Sequence, residues 1–140
     1  MSRDLMRFSV AMPEKLLMDF DQLVARRGIA KNRSEVIRDL VREALIEDEC
    51  ATLGVNVMGS LTIVYSHHSS DLVDKLHVIQ HNYLENVVTT THVHIDEEYC
   101  LEVIILQGLT EDVQVISDMI LGTKGVKCGK LVLTTVGNMV

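Results

Sequence analysis

At 140 residues the chain can hold one ordinary domain or two small ones, and with 47% hydrophobic residues it is a folding sequence and not a disordered one. It has no Trp and few aromatics, so its core must be built from Val, Ile, Leu and Met, and no apolar run reaches the roughly 18 residues of a membrane span. The net charge of −7 argues against a general nucleic-acid binder.

Met6, Phe8, Val10 and Met12 alternate with Arg7, Ser9 and Ala11, the period of a strand with one apolar face. Pro13 ends that run and suits the first turn of a helix. Leu16, Leu17, Phe20, Leu23 and Val24 then follow helical spacing up to a stop at Gly28. A short loop, Ile29 to Lys31, leads to Asn32-Arg33-Ser34-Glu35, which resembles a capping box with Asn as the cap. A second helix follows, with Val36, Ile37, Leu40, Val41, Ala44 and Leu45 as its apolar stripe. One strand and two helices cannot close a core, so the strand is expected to pair antiparallel with that of a twin chain. Such a two-stranded ribbon fits the DNA major groove, with Arg7 and Ser9 facing bases and the helix start at Asn32, Arg33 and Ser34 offering amides to phosphate. The Arg26-Arg27-Gly28 and Asn32 to Asp39 stretches make this segment resemble the ribbon-helix-helix repressors. Charge agrees: Met1 to Arg42 carries nine Lys/Arg against six Asp/Glu, whereas Leu53 to Val140 carries four against ten.

After Leu53 the pattern changes. A strand is expected over Val57 to Tyr65, and a helix capped by Ser69 or Ser70 that ends near His81 or Asn82. Val87 to Ile95 and Cys100 to Leu106 read as strands joined by a turn at Asp96-Glu97-Glu98. Glu111 to Leu121 reads as a helix, Gly122 and Gly125 as breakers, and Lys130 to Val136 as a last strand. The order βαββαβ is that of the ferredoxin-like arrangement, shared by the small regulatory ACT domains. The fold class is therefore α+β, with a DNA-binding segment over residues 1–52 and an ACT-like domain over 53–140.

His92-Val93-His94 followed by Cys100 carries the chemistry. Residues two apart on a strand share a face, and the turn returns Cys100 beside both imidazoles. Imidazole and thiolate suit Zn, Cu or Ni and disfavour Mg or Ca. Glu102, two residues on, could fix a histidine tautomer. Three ligands leave one position for water or for a residue of another chain, and His81 is the best candidate for the latter. His77 lies one turn before His81, so a rival two-histidine helix site is conceivable. His67-His68 reads as a pair of loop histidines, and Cys50 and Cys128 as small, partly buried residues. Three cysteines, an odd and sparse set, fit a reducing compartment, and the start Met1-Ser2-Arg3-Asp4 lacks a signal-like apolar stretch, so a cytoplasmic location is expected.

With the head motifs, Gln80-His81, His92-Val93-His94-Ile95 and Cys100-Leu101-Glu102 together, the chain resembles the nickel-responsive repressor family (NikR) over nearly its whole length. The resemblance implies a regulator and not an enzyme, repressing nickel-uptake genes by binding double-stranded operator DNA. It implies a homotetramer, a dimer of dimers, with square-planar Ni(2+) held by His92, His94 and Cys100 of one chain and His81 of a neighbour. It also implies a weaker cation site at Glu35 and Asp39. The DNA face departs from the family pattern: Ala11 stands where a hydrogen-bonding residue is usual, Ser69-Ser70 where some members have a basic pair, and the N-terminal arm bearing Arg3 is longer. A metalloenzyme and a nickel carrier are the competing classes; the basic head argues against both.

Overall fold

The computed structural model describes residues 4–28 and 32–135. Arg3, the loop 29–31 and Val136 lie outside that range. The chain divides into two compact units, Met1–Arg42 and Glu43–Val140.

In the first unit, α1 spans Glu14–Arg26 and α2 begins at Arg33 and runs to Cys50. Gly28, just past α1, has φ of 64°, a left-handed conformation that lets the chain leave the helix at little steric cost. Asn32 caps α2: its Oδ1 accepts the Glu35 N–H at 2.9 Å. Arg33 donates from Nε and Nη2 to both carboxylate oxygens of Asp21, each at 2.7 Å, tying the start of α2 to α1. This exposed fork holds Asp21 below the usual carboxylate range. Val36 is fully buried, but Leu16 and Met18 of α1 are exposed. The expected strand over Met6–Met12 has no ladder among the described residues, and Met6, Phe8 and Val10 are exposed. The reason is physical: a strand segment forms a ladder only against a partner, and that partner is expected on a second chain. Met6, Phe8 and Val10 instead line an open cleft with Leu17, Phe20 and Ile37.

The second unit holds β1 (Asn56–Ser66), α3 (Ser70–Asn82), β2 (Val87–His94), β3 (Tyr99–Leu109), α4 (Thr110–Leu121) and β4 (Val126–Thr134). The four strands form one antiparallel sheet in the order β2-β3-β1-β4. This is the expected βαββαβ arrangement. The alternation in β1 sends Val57, Leu61, Ile63 and Tyr65 to one face, where they pack with Leu72 and Leu76 of α3 and Val113, Ile116 and Ile120 of α4. Gly59 and Gly129 allow the close approach: a Cβ on Gly129 would meet Leu121 Cδ2 at 2.6 Å and the Thr62 carbonyl at 2.7 Å.

The register puts Met58, Val64, Val93, Leu101, Val103, Ile105 and Val132 on the opposite, helix-free face. Val93 and Val132 are about half exposed there, at 46% and 56%. Two expectations need correction. β4 starts at Val126 and not at Lys130, because Lys127 and Gly129 break the apolar pattern while Val126, Cys128 and Gly129 still pair with β1 and Lys127 is passed over at the register shift beside Val64/Tyr65. Cys128 is consequently exposed on the helix-free face and not partly buried, whereas Cys50 is buried.

Candidate metal centre

The β2–β3 hairpin aligns the donors. His94 pairs with Cys100 and His92 with Glu102, and directly opposed residues share a face. Both histidines therefore lie on the helix-covered face near its open edge, exposed, while Cys100 is fully buried. The turn is fixed by Asp96, whose Oδ1 accepts the Glu98 and Tyr99 N–H groups at 2.8 and 2.7 Å, depressing the Asp96 pKa. Cys100 Sγ lies 3.5 Å from His94 Nδ1, and the His92 and His94 ring centroids are 5.0 Å apart.

Behind the histidines runs a polar chain. Glu102, buried, accepts the Tyr65 O–H at 2.7 Å and the Gln80 Nε2–H at 3.1 Å. Gln80 Oε1 in turn accepts the Thr90 O–H at 2.9 Å. Burial and the Glu102 carboxylate push the Tyr65 phenol well above its usual pKa, so it stays protonated. Its single proton goes to Glu102. The 3.3 Å contact between Tyr65 Oη and His92 Nδ1 is then a hydrogen bond only if Nδ1 donates, which leaves the Nε2 lone pair of His92 for a metal. Glu102 thus acts on the histidine through Tyr65 and not by direct contact. Tyr65 and Gln80 are not among the expected site residues; the pairing of β1 with β3 and the packing of α3 reveal them.

His67 is the second surprise. Its N–H donates to the Glu98 carbonyl at 3.1 Å, continuing the pairing of β1 with β3 past Ser66. His67 Nδ1 lies 3.4 Å from Cys100 Sγ. Among the described residues, His67, His94 and Cys100 are the group of donors gathered within one ion's reach, all within 4.8 Å of one another. The signal was present in sequence: Ile63, Tyr65 and His67 continue one period-two face. His81, in the last turn of α3, is exposed and outside this group. His77 is also exposed, and among the described residues no third donor joins it and His81.

A buried sulfur donor with exposed imidazoles beside it fits a borderline-to-soft transition metal. The comparisons with known proteins decide which. Residues 58–134 match the family described as the NikR C terminal nickel binding domain, and residues 6–48 match the ribbon-helix-helix proteins of the copG family. A relative from Pyrococcus horikoshii, named in the class of nickel-responsive regulators, is 46% identical over 134 residues, 96% of each chain. A relative of the same class from Geobacter sulfurreducens is 47% identical over 131 residues, 94% of each chain.

The chain belongs to the nickel-responsive regulator family.

It is a regulator with a ribbon-helix-helix DNA-binding domain and not an enzyme, and Ni(2+) is its cofactor. An uncharacterized protein from Thermotoga maritima shares its fold at a TM-score of 0.52 and 18% identity, over 58% of this chain and all of that one. No helix of the described residues is long and apolar enough to cross a membrane.

For a regulator of this family the residues expected to face DNA matter as much as the metal donors. Arg7, Ser9 and Ala11 are all exposed. Asn32 and Ser34 are exposed at the start of α2. Arg33, expected to serve DNA, is held by Asp21. Glu35 and Asp39 lie one turn apart on α2, Asp39 pairs with Arg42 at 3.1 Å, and neither acid belongs to a three-donor group.

Proposed function

We propose that Ni(2+) is held by His92, His94 and Cys100 of one protomer and by His81 of a neighbour, and that this bridge shifts the heads toward an operator-binding state. The observation that carries the reading is the division of donors. One protomer gathers His94 and Cys100 with His92 beside them, while His81 sits exposed outside the group. Gln80, the residue before His81, is fastened through Glu102 and Tyr65 to His92. Metal at the hairpin and the end of α3 therefore share one hydrogen-bonded chain. Nickel supplies a Lewis-acid crosslink whose donor set is incomplete until a second chain contributes.

The assembly is a homotetramer, a dimer of dimers. Two unsatisfied surfaces support it: the exposed apolar residues Met6, Phe8 and Val10 of the first unit, and the helix-free sheet face with Val93 and Val132. Contiguous apolar area of this kind marks an interaction surface. In the dimer, the Met6–Met12 segments pair as a ribbon; Arg7, Ser9 and Ala11 face bases in double-stranded operator DNA. Arg3, Asn32, Arg33 and Ser34 contact phosphate, Arg33 exchanging its fork on Asp21 for the DNA. Glu35 and Asp39 form a weaker cation site once Asp39 leaves Arg42. The functional division lies at 1–52 and 53–140, a boundary supported by family matches that end at 48 and resume at 58. The protein acts in the cytoplasm, where its DNA is, and represses nickel-uptake genes.

A gel-shift titration of operator DNA with and without nickel tests the reading. Nickel should tighten binding; equal affinity in both arms would sink it.

A further inference from the structure

The proposed nickel set does not account for His67, whose ring nitrogen stands as close to Cys100 Sγ as that of His94 does. We propose that His67, His94 and Cys100 of a single protomer form a second, chain-internal site for a tetrahedral cation of the Zn(II) class. Occupancy of this site excludes nickel, because it takes two of nickel's ligands.

The distances fit a tetrahedral donor set. With bonds of about 2.3 Å to sulfur and about 2.05 Å to nitrogen, a sulfur and a nitrogen stand about 3.6 Å apart around tetrahedral zinc. The same bonds in a plane put them about 3.1 Å apart when adjacent and about 4.4 Å when opposite. The observed separations from Cys100 Sγ are 3.4 Å to His67 Nδ1 and 3.5 Å to His94 Nδ1. Both are near the tetrahedral edge and well short of the separation of a sulfur and a nitrogen opposite each other. The His67 and His94 rings meet edge to face, at 89° and 5.7 Å between centroids.

The site is built by the fold. Cys100 is flanked on one side by His94 of β2 and on the other by the continuation of β1, where the His67 N–H to Glu98 carbonyl bond fixes the backbone. His94 is exposed and His67 half-buried, so a fourth position is open to water. Binding deprotonates Cys100 and releases that proton to solvent, while both imidazoles bind as neutral ligands. His92, held by Tyr65, stays out of the set, and so does His81. A cation here therefore joins no chains. The competition with nickel rests on the reading given under Proposed function; the zinc site itself does not.

The test uses the full-length protein and Zn(II) alone, titrated against a chromophoric chelator. His67→Ala should weaken zinc binding by about tenfold or more, since even the loss of a group behind a ligand costs that much. His81→Ala should leave it unchanged. Zinc retained undiminished by His67→Ala, or lost equally in His81→Ala, would overturn the proposal. Should the His67 variants fold poorly, the wild type still decides. Zinc should protect His67 from carbethoxylation while His81 stays reactive, and X-ray absorption should show one sulfur and two imidazoles. Protection of His81 with a reactive His67 would put zinc in the bridging set. Failure of the nickel reading would show separately, as nickel retained by His81→Ala.

Discussion

The Tyr65 hydroxyl has one proton and two neighbours that could take it, and this determines what His92 can do. Glu102 is buried and needs the donor; His92 can protonate its own Nδ1 and become a donor itself. Tyr65→Phe removes a hydrogen bond from a buried carboxylate, which costs about 1–3 kcal/mol of stability, and frees the His92 ring to turn. Its nickel affinity should fall about 10–100-fold, the usual loss when a group orienting a ligand is removed. Competition titration with nickel and a thermal melt check both effects; unchanged affinity would show that Tyr65 does not orient His92. Cys100→Ala should do more and abolish retention of nickel after a chelator challenge, because the only sulfur of the set is gone. A variant that kept its nickel as firmly as wild type would remove Cys100 from the ligands. These residues differ in how readable they are. His92, His94 and Cys100 are visible in sequence because strand periodicity and one short turn bring them together. Tyr65 and Gln80 come from other elements, and only the pairing of β1 with β3 and the packing of α3 bring them to Glu102. His67 was legible in principle, yet a histidine next to another histidine before Ser69-Ser70 reads as loop.

Among the elements, β1, β3 and both body helices follow from alternation and helical spacing, because each buries one face inside its own unit. The exceptions mark places where that condition fails. β4 is an edge strand whose first half is polar, so its start is invisible to a hydrophobic pattern. The segment Met6–Met12 alternates correctly but has no strand partner among the described residues. Two tests belong here. Gly129→Ala should destabilise the body by about 1–3 kcal/mol, as overpacking does, because the added carbon meets the backbone oxygen of Thr62 as well as the Leu121 side chain. Chemical denaturation measures this, and a loss near zero would mean that β4 can shift without penalty. Arg7→Ala tests the ribbon. If Arg7 contacts a guanine in the major groove, the variant should lose about 1–3 kcal/mol of operator binding and relax base preference at that position. Operator affinity equal to wild type at fixed salt would take the segment out of the reading head.

At the scale of the whole molecule the question is how a metal on the second unit governs DNA on the first. No path between the units needs to be drawn for thermodynamics to constrain the answer. If nickel raises operator affinity by some factor, operator must raise nickel affinity by the same factor. Couplings of this kind are typically about 1–3 kcal/mol, or roughly 5–150-fold. Zinc offers the informative contrast. Held by His67, His94 and Cys100 of one protomer, it joins no chains and should give little of the response that nickel gives through His81. Adding zinc before nickel should blunt the nickel response, and the effect should vanish in His67→Ala. Salt provides a second axis. Each phosphate neutralised by Lys or Arg steepens the fall of affinity with salt, and this chain has Ser69-Ser70 and not a basic pair at the start of α3. Its salt dependence should therefore be shallower than that of a relative carrying the pair. The measurement is operator affinity of the metal-free, nickel and zinc forms at two salt concentrations, with nickel affinity measured in the presence and absence of operator. Equal operator binding by all three forms would end the coupling hypothesis, because a metal with no differential affinity for the DNA-binding state cannot shift its population. Unequal factors in the two directions would mean that an additional equilibrium, such as assembly, had not been held constant between the arms.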